Sequence, residues 1–257
     1  MIKILFLGSR PASLRCFDFL RQHRDTVKIQ GVVLNESGGE VDSAFEDRAL
    51  ENGFRILPLA ETGRLDFDLG ISVLFDKKIS GDLVVKPRFG FLNFHLGPLP
   101  RLRGSNSILH AIRLARAENN WTFGVTLHFM DEKLDTGPVV ELLEFPIQQT
   151  DTAGTLHAKA CEQIVILFFR RIGEIIKSGK RLASRPQQGD SSFFRKNEVD
   201  HKVDLSWSPE KIYDTVRALT FPGKSKPYIQ IGDYRYYLEA DLSLPSKGAE
   251  NGVRDEL

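Results

Sequence analysis

An α/β fold with a Rossmann-like, doubly wound and mostly parallel sheet is what the 257-residue sequence predicts, followed by a small C-terminal helix and β-hairpin region. Two features lead there. Short apolar runs bounded by Gly, Pro or charged turns recur at residues 2–8, 29–34, 54–58, 69–75 and 90–94, each the length of a buried strand. Helical patterns fill the early gaps, and strands that alternate with helices build a parallel sheet.

The elements follow in order. Residues 12–23 carry Leu14, Phe17 and Leu20 at helical spacing, and 42–52 carry Phe45, Ala49 and Leu50. Residues 107–117 form a third helix, with Ile108, Ala111, Ile112 and Ala115 on one face. Residues 123–129 alternate as a strand and 139–145 form another, so a hairpin-like pair presents Asp135 near its tip. A long helix over 155–176 ends at a basic last turn and Gly179. The polar run Arg185-Pro186-Gln187-Gln188-Gly189-Asp190 lacks periodicity and marks a boundary between a catalytic domain, 1–185, and a small substrate or dimer region, 186–240. In the latter, Ser208 caps a helix that begins at Pro209, and 227–231 pairs with 234–238 across Gly232-Asp233. Residues 241–257 read as a disordered polar tail.

Composition narrows the function. Thirty-five basic and thirty-four acidic residues give a net charge of +1, without the broad basic field of a nucleic-acid-binding protein. No stretch approaches the roughly 20 apolar residues of a membrane span, so no membrane insertion is expected. Cys16 and Cys161 stand far apart in a chain that opens as a strand rather than a secretory leader, which favours a reduced, cytoplasmic protein. The final Arg254-Asp255-Glu256-Leu257 resembles a retention address that has no meaning without secretory entry. Gly8-Ser9-Arg10-Pro11 lacks the G-x-G-x-x-G spacing of a dinucleotide site, the phosphate-loop pattern is absent, and the six histidines have no metal-ligand spacing.

The chemistry lies in Asn93-Phe94-His95-Leu96-Gly97-Pro98-Leu99-Pro100, in Arg103-Gly104, and in Leu134-Asp135-Thr136-Gly137-Pro138. Two residues apart on a strand, Asn93 and His95 face the same side, so an amide and an imidazole share one pocket. Pro98 and Pro100 turn the chain off the sheet just beyond His95, at the strand end where α/β ligand sites open.

Together with Gly124-Val125-Thr126-x-His128, these motifs resemble the 10-formyltetrahydrofolate-dependent formyltransferases over roughly residues 1–180. The resemblance implies a catalytic triad of Asn93, His95 and Asp135, with 10-formyltetrahydrofolate as cosubstrate and no metal. In such a reaction an amine attacks the formyl carbon. Asn93 then donates to the developing oxyanion, while His95 or Asp135 takes the amine proton. The sequence leaves open which of the two is the base. By the same resemblance Phe75, Lys77 and Ile79 lie in the loop that meets the pterin, and Gly137 lies near it. Pro98, Leu99 and Pro100 form a rigid wall beside His95. His128 falls in the matching segment and reads as structural.

Among branches of that family, methionyl-tRNA formyltransferases continue into an RNA-binding domain, for which about forty residues beyond Leu219 are too few. Glycinamide ribonucleotide formyltransferases leave residues 186–240 unexplained. Sugar N-formyltransferases have about this size and a hairpin-bearing C-terminal region, and Arg217 to Tyr228, with Phe221-Pro222-Gly223, looks like that branch. The resemblance implies a nucleotide-linked amino sugar as partner, with Arg103, Asn106, Arg217, Phe221, Lys224, Lys226 and Tyr228 as contacts. It also implies a homodimer through the hairpin. The first expectation is the GDP-perosamine type, with a tRNA formyltransferase or an inactive folate- or nucleotide-binding module as alternatives.

Overall fold

The computed structural model of the chain describes residues 1–35, 43–195 and 198–242. The elements run in the order β1 (Ile2–Leu7), α1 (Pro11–Gln22), β2 (Val27–Val33), α2 (Ser43–Glu51), a 3-10 helix (Leu59–Arg64), β3 (Leu69–Val73), α3 (Gly81–Val85), β4 (Phe91–His95) and β5 (Leu102–Gly104). They continue as α4 (Ser107–Ala115), β6 (Thr122–Phe129), β7 (Val139–Pro146), α5 (Ala153–Ser178), β8 (Ser192–Phe194), α6 (Pro209–Leu219), β9 (Tyr228–Ile231) and β10 (Tyr234–Tyr237). Residue 42 of the expected second helix lies outside the described residues, as does the expected tail from 243 onward. Contacts gather the chain into two compact units. The first holds Met1–Ser107, Phe123–Phe145 and Ala158–Asn197, and the second holds Ile108–Thr122, Pro146–His157 and the chain from Glu198 on.

The first unit is built on a six-stranded sheet of order β2-β1-β3-β4-β6-β7. β1 runs parallel to β2 and β3, and β3 runs parallel to β4, whereas β6 pairs antiparallel with β4. β1 and β3 are covered on both faces and therefore read as continuous apolar runs rather than alternating ones. One face is closed by an aromatic cluster, with the Phe17 ring 5.7 Å from Phe6 and 4.9 Å from Phe45. On the other, Leu5, Leu7, Val33, Phe67, Ile79, Leu83, Val84 and Phe91 form a second cluster. The expected strand at 54–58 is a correction. It reduces to one bridge, in which Val32 N–H donates to Arg55 O and Leu57 N–H donates to Val32 O, both at 2.9 Å, before Pro58 ends the pairing.

Two three-residue strands were not expected. β5 pairs parallel with β8, Arg103 opposite Phe193. Three residues are too few to show a period.

In the second unit, α6 opens as its sequence dictates, with Pro209 in the first turn and Ser208 Oγ accepting the Lys211 N–H at 3.3 Å. β9 and β10 form the hairpin, turning through Gly232 at φ +58°. No helix among the described residues is long and apolar enough to cross a membrane.

Candidate active site

Register brings the site together. In the antiparallel pair of β4 and β6, Asn93 stands opposite His128 and His95 opposite Thr126, so all four side chains belong to one face at the end of β4. His95, Thr126 and His128 are buried. Thr126 Oγ1 donates to Gly97 O at 2.6 Å and accepts the Leu99 N–H at 3.1 Å, which fixes the loop that follows His95. The Leu99–Pro100 peptide in that loop is cis.

Hydrogen bonding assigns both imidazole tautomers. His95 Nε2 lies 2.8 Å from Leu102 O, and since a carbonyl can only accept, Nε2 carries the hydrogen and Nδ1 is the nitrogen left for chemistry. Gly97 is needed here because a Cβ on it would stand 2.7 Å from His95 Nε2 and 2.9 Å from Leu102 O. His128 Nδ1 likewise donates to Phe129 O at 2.8 Å, so its Nε2 accepts from Asn93 Nδ2 at 3.1 Å. Burial pushes the His128 pKa down to about 4 against the pull of Asp135, so the ring is neutral near pH 7. Asn93 keeps its second amide hydrogen.

Asp135 enters from the turn between β6 and β7. It is buried and holds φ at +56°, a conformation that L residues seldom adopt. Its Oδ2 accepts the Gly104 N–H at 2.9 Å, and its Oδ1 lies 3.6 Å from His95 Nδ1 and 3.7 Å from His128 Nε2. Gly137 lets the turn lie against β6, since a Cβ there would meet Phe129 O at 1.9 Å. The triad expected from sequence therefore meets in one place.

The other expected residues divide. Leu99, Pro98 and Gly137 are buried around the triad, with Pro100 partly exposed. The loop after β3 begins at Leu74, whose φ is +53°, and Asn35 pins it by donating from Nδ2 to Leu74 O at 3.1 Å and accepting the Asp76 N–H at 3.2 Å. Phe75 and Ile79 turn their side chains into the core cluster, and Lys77 is half-buried. Beside this loop opens a cleft of about 630 Å³ lined by Leu59, Lys77, Lys78, Asp82 and Lys86. Arg103 is held by Gln187, and Asn106 Nδ2 reaches Arg195 O at 3.5 Å.

Phe221, Lys224, Lys226 and Tyr228 belong to the second unit. Phe221 sits edge-on to His157 at 5.2 Å, Lys224 and Lys226 are exposed, and Tyr228 lies under Arg235. Arg217, expected as a phosphate-seeking cation, is instead fully buried. Its Nε donates to Asp214 Oδ1 at 2.9 Å and its Nη1 to Asp151 O at 2.8 Å, while Nη2 is buried with no hydrogen-bond partner among the described residues. Sequence reasoning left out Thr126 and assigned His128 no part in the site. The two-residue spacing of Thr126 and His128 puts their side chains on one face of β6, and the register then sets them opposite His95 and Asn93. Among the described residues no group of three or more His, Cys, Asp or Glu is placed to hold a metal ion.

The formyl transferase family model matches residues 28–172, more than half of the chain, and the chain belongs to that family. It is 31% identical over 153 residues to the methionyl-tRNA formyltransferase of Geobacillus thermodenitrificans, which covers 59% of this chain and 46% of that protein. The chain thus spans about half the length of the curated relatives it matches. Among solved structures, a 4-N formyltransferase from Francisella tularensis superposes with a TM-score of 0.78 at 18% identity, over 95% of this chain and 99% of that one. The N-formyltransferase from Helicobacter canadensis, solved with folinic acid and dTDP-3-aminofucose, gives 0.73 at 23% identity over 90% and 85%. At these identities the likeness establishes the shared fold.

Proposed function

We propose that the protein transfers a formyl group from 10-formyltetrahydrofolate to the amine of a nucleotide-linked 4-amino-4,6-dideoxyhexose in the cytoplasm, for surface polysaccharide synthesis. A GDP-linked perosamine is the first candidate acceptor. The observation that carries this is the meeting of Asn93, His95 and Asp135 at the end of β4, with His95 Nδ1 facing the Asp135 carboxylate.

These residues fit a formyl donor by their chemistry. The bound folate supplies an activated formyl carbon. Asn93, anchored to His128, has a second N–H to give to the formyl oxygen as negative charge develops there. As the acceptor nitrogen bonds to that carbon, its proton passes to His95 Nδ1, the free ring nitrogen, and Asp135 stabilises the imidazolium. The C–N10 bond breaks, and His95 returns the proton to tetrahydrofolate N10 as it leaves. Asn93, His95 and Asp135 are thus the candidate catalytic residues. The loop of Phe75, Lys77 and Ile79 and the wall of Pro98, Leu99 and Pro100, with Gly137, are the candidate folate contacts.

Support for a sugar acceptor comes from the named activities of the structural neighbours, from the net charge of +1, and from Arg103 beside the triad. Phe221, Lys224, Lys226 and Tyr228 are the further candidate sugar-nucleotide contacts. The exposed Ile231, Tyr234, Tyr236 and Tyr237 of the hairpin support a homodimer contact there, and a monomeric mass in solution would reject it. The curated relatives favour a second acceptor, charged initiator tRNA. The two separate by binding. A tRNA enzyme binds charged tRNA with an affinity that falls steeply with salt, whereas the sugar enzyme binds the nucleotide sugar and shows no such affinity.

A further inference from the structure

Gln187 lies in the polar run that reads from sequence as a connector, and no role follows for it from the triad. In the structure its amide is fully used. Nε2 donates to Asp135 O at 2.9 Å and to Gly137 O at 2.8 Å, while Oε1 accepts from Arg103 Nε at 3.1 Å and Nη2 at 2.7 Å. All these partners lie in the first compact unit.

The connector is itself anchored on either side. Arg185 exchanges two backbone hydrogen bonds of 2.8 Å with Val139, and β8 pairs with β5 from Ser192. Gln187 is thereby presented to the turn from a fixed backbone. Its two donated bonds flank Thr136 and hold the segment in which Asp135 keeps its disfavoured φ of +56°. Only a primary amide carries two donors and an acceptor in one planar group of this reach. Glutamate donates nothing, and methionine neither donates nor strongly accepts.

We propose that Gln187 is a positioning residue that sets the Asp135 carboxylate against His95 and, through the same amide, orients the Arg103 guanidinium toward the acceptor. The proposal rests on the roles given above to Asp135 and Arg103. It makes one side chain the mechanical link between acceptor binding and proton transfer.

Gln187→Glu and Gln187→Met test it with the full chain. The Glu variant keeps an oxygen for Arg103 but sets a carboxylate against two carbonyls, so kcat falls by roughly 10- to 100-fold, as for a misplaced catalytic group, while the acceptor KM stays within about twofold. The Met variant loses both contacts, so kcat falls and the acceptor KM rises. A second readout needs no turnover. The Gly104 N–H, held by Asp135 Oδ2, exchanges with solvent faster in both variants while β1 and β3 keep their protection. Unchanged Gly104 exchange, a wild-type kcat in the Met variant, or loss of protection throughout β1 and β3 would each overturn the proposal. If the wild-type protein formylates no acceptor, the proposed function falls, and Gly104 exchange alone still decides whether Gln187 holds the turn.

Discussion

Asp135 Oδ1 stands 3.6 Å from His95 Nδ1, and each partner is tied elsewhere, Asp135 Oδ2 by the Gly104 amide and His95 Nε2 by Leu102 O. The gap exceeds a hydrogen bond, so the carboxylate acts on the ring as a charge. At that distance Asp135 takes no hydrogen bond from Nδ1, whose lone pair is left for the proton of the reacting amine in the proposed transfer.

His95→Asn is therefore expected to lower kcat for formyl transfer by about 10²- to 10⁴-fold, the range of a lost acid–base group. Asn93→Ala is expected to cost about 10²- to 10³-fold through loss of a donor to the developing charge. Steady-state rates at saturating folate check both. A rate within about threefold of wild type in His95→Asn would remove it from the proton path.

Gly137→Ala tests the turn. An added Cβ lands 1.9 Å from Phe129 O, so the turn must move away from β6 and carry Asp135 with it. A stability loss of about 1–3 kcal/mol in urea unfolding is expected from this overpacking, along with reduced kcat.

His128 supplies a pH signature. Its native pKa of about 4 lies below the ordinary 6.5, so between those values the unfolded chain binds a proton that the native ring refuses. Stability contributed this way is complete above pH 6.5 and is lost as pH falls through 4, on the order of a few kcal/mol. His110, also lowered to about 4 by burial, has the same sign and remains in the variant. Urea unfolding stepped from pH 7 to 4 is expected to show a shallower decline in His128→Gln than in wild type. Equal slopes would mean that the native ring is not held neutral.

Arg217→Met addresses the second unit. Once Arg217 is gone, buried Asp214 keeps, among the described residues, Arg116, whose Nε donates at 2.7 Å, and the Asp151 carbonyl loses a charged donor. A destabilisation of about 3 kcal/mol is expected, with the midpoint of denaturant unfolding as the measure. A change confined to acceptor KM would return Arg217 to the ligand contacts.

Strands β1 to β4 were legible because parallel strands buried on both faces leave unbroken apolar runs, and the site at the end of β4 was legible because two prolines stop the strand beside His95. Asn93 and His95 declared a shared face through their spacing. Their partners across β6 followed only from the register, which period alone does not set. Gln187 gave no sign, since its contacts lie 50 to 84 residues away in sequence and are divided between two backbone carbonyls and the Arg103 guanidinium. Arg217 stood among the expected sugar-nucleotide contacts, although Asp214 at i−3 on the same helix was available as a partner.

Formyl transfer itself is the most direct test. Wild-type protein and Asp135→Asn would be incubated with 10-formyltetrahydrofolate and a panel of GDP-, dTDP- and UDP-linked 4-amino-4,6-dideoxyhexoses, and each sugar product would be read by mass spectrometry. A mass gain of one formyl group on one member of the panel is expected with wild type, and a strongly reduced rate with Asp135→Asn. No gain on any member, with folate binding intact and charged tRNA formylated instead, would contradict it.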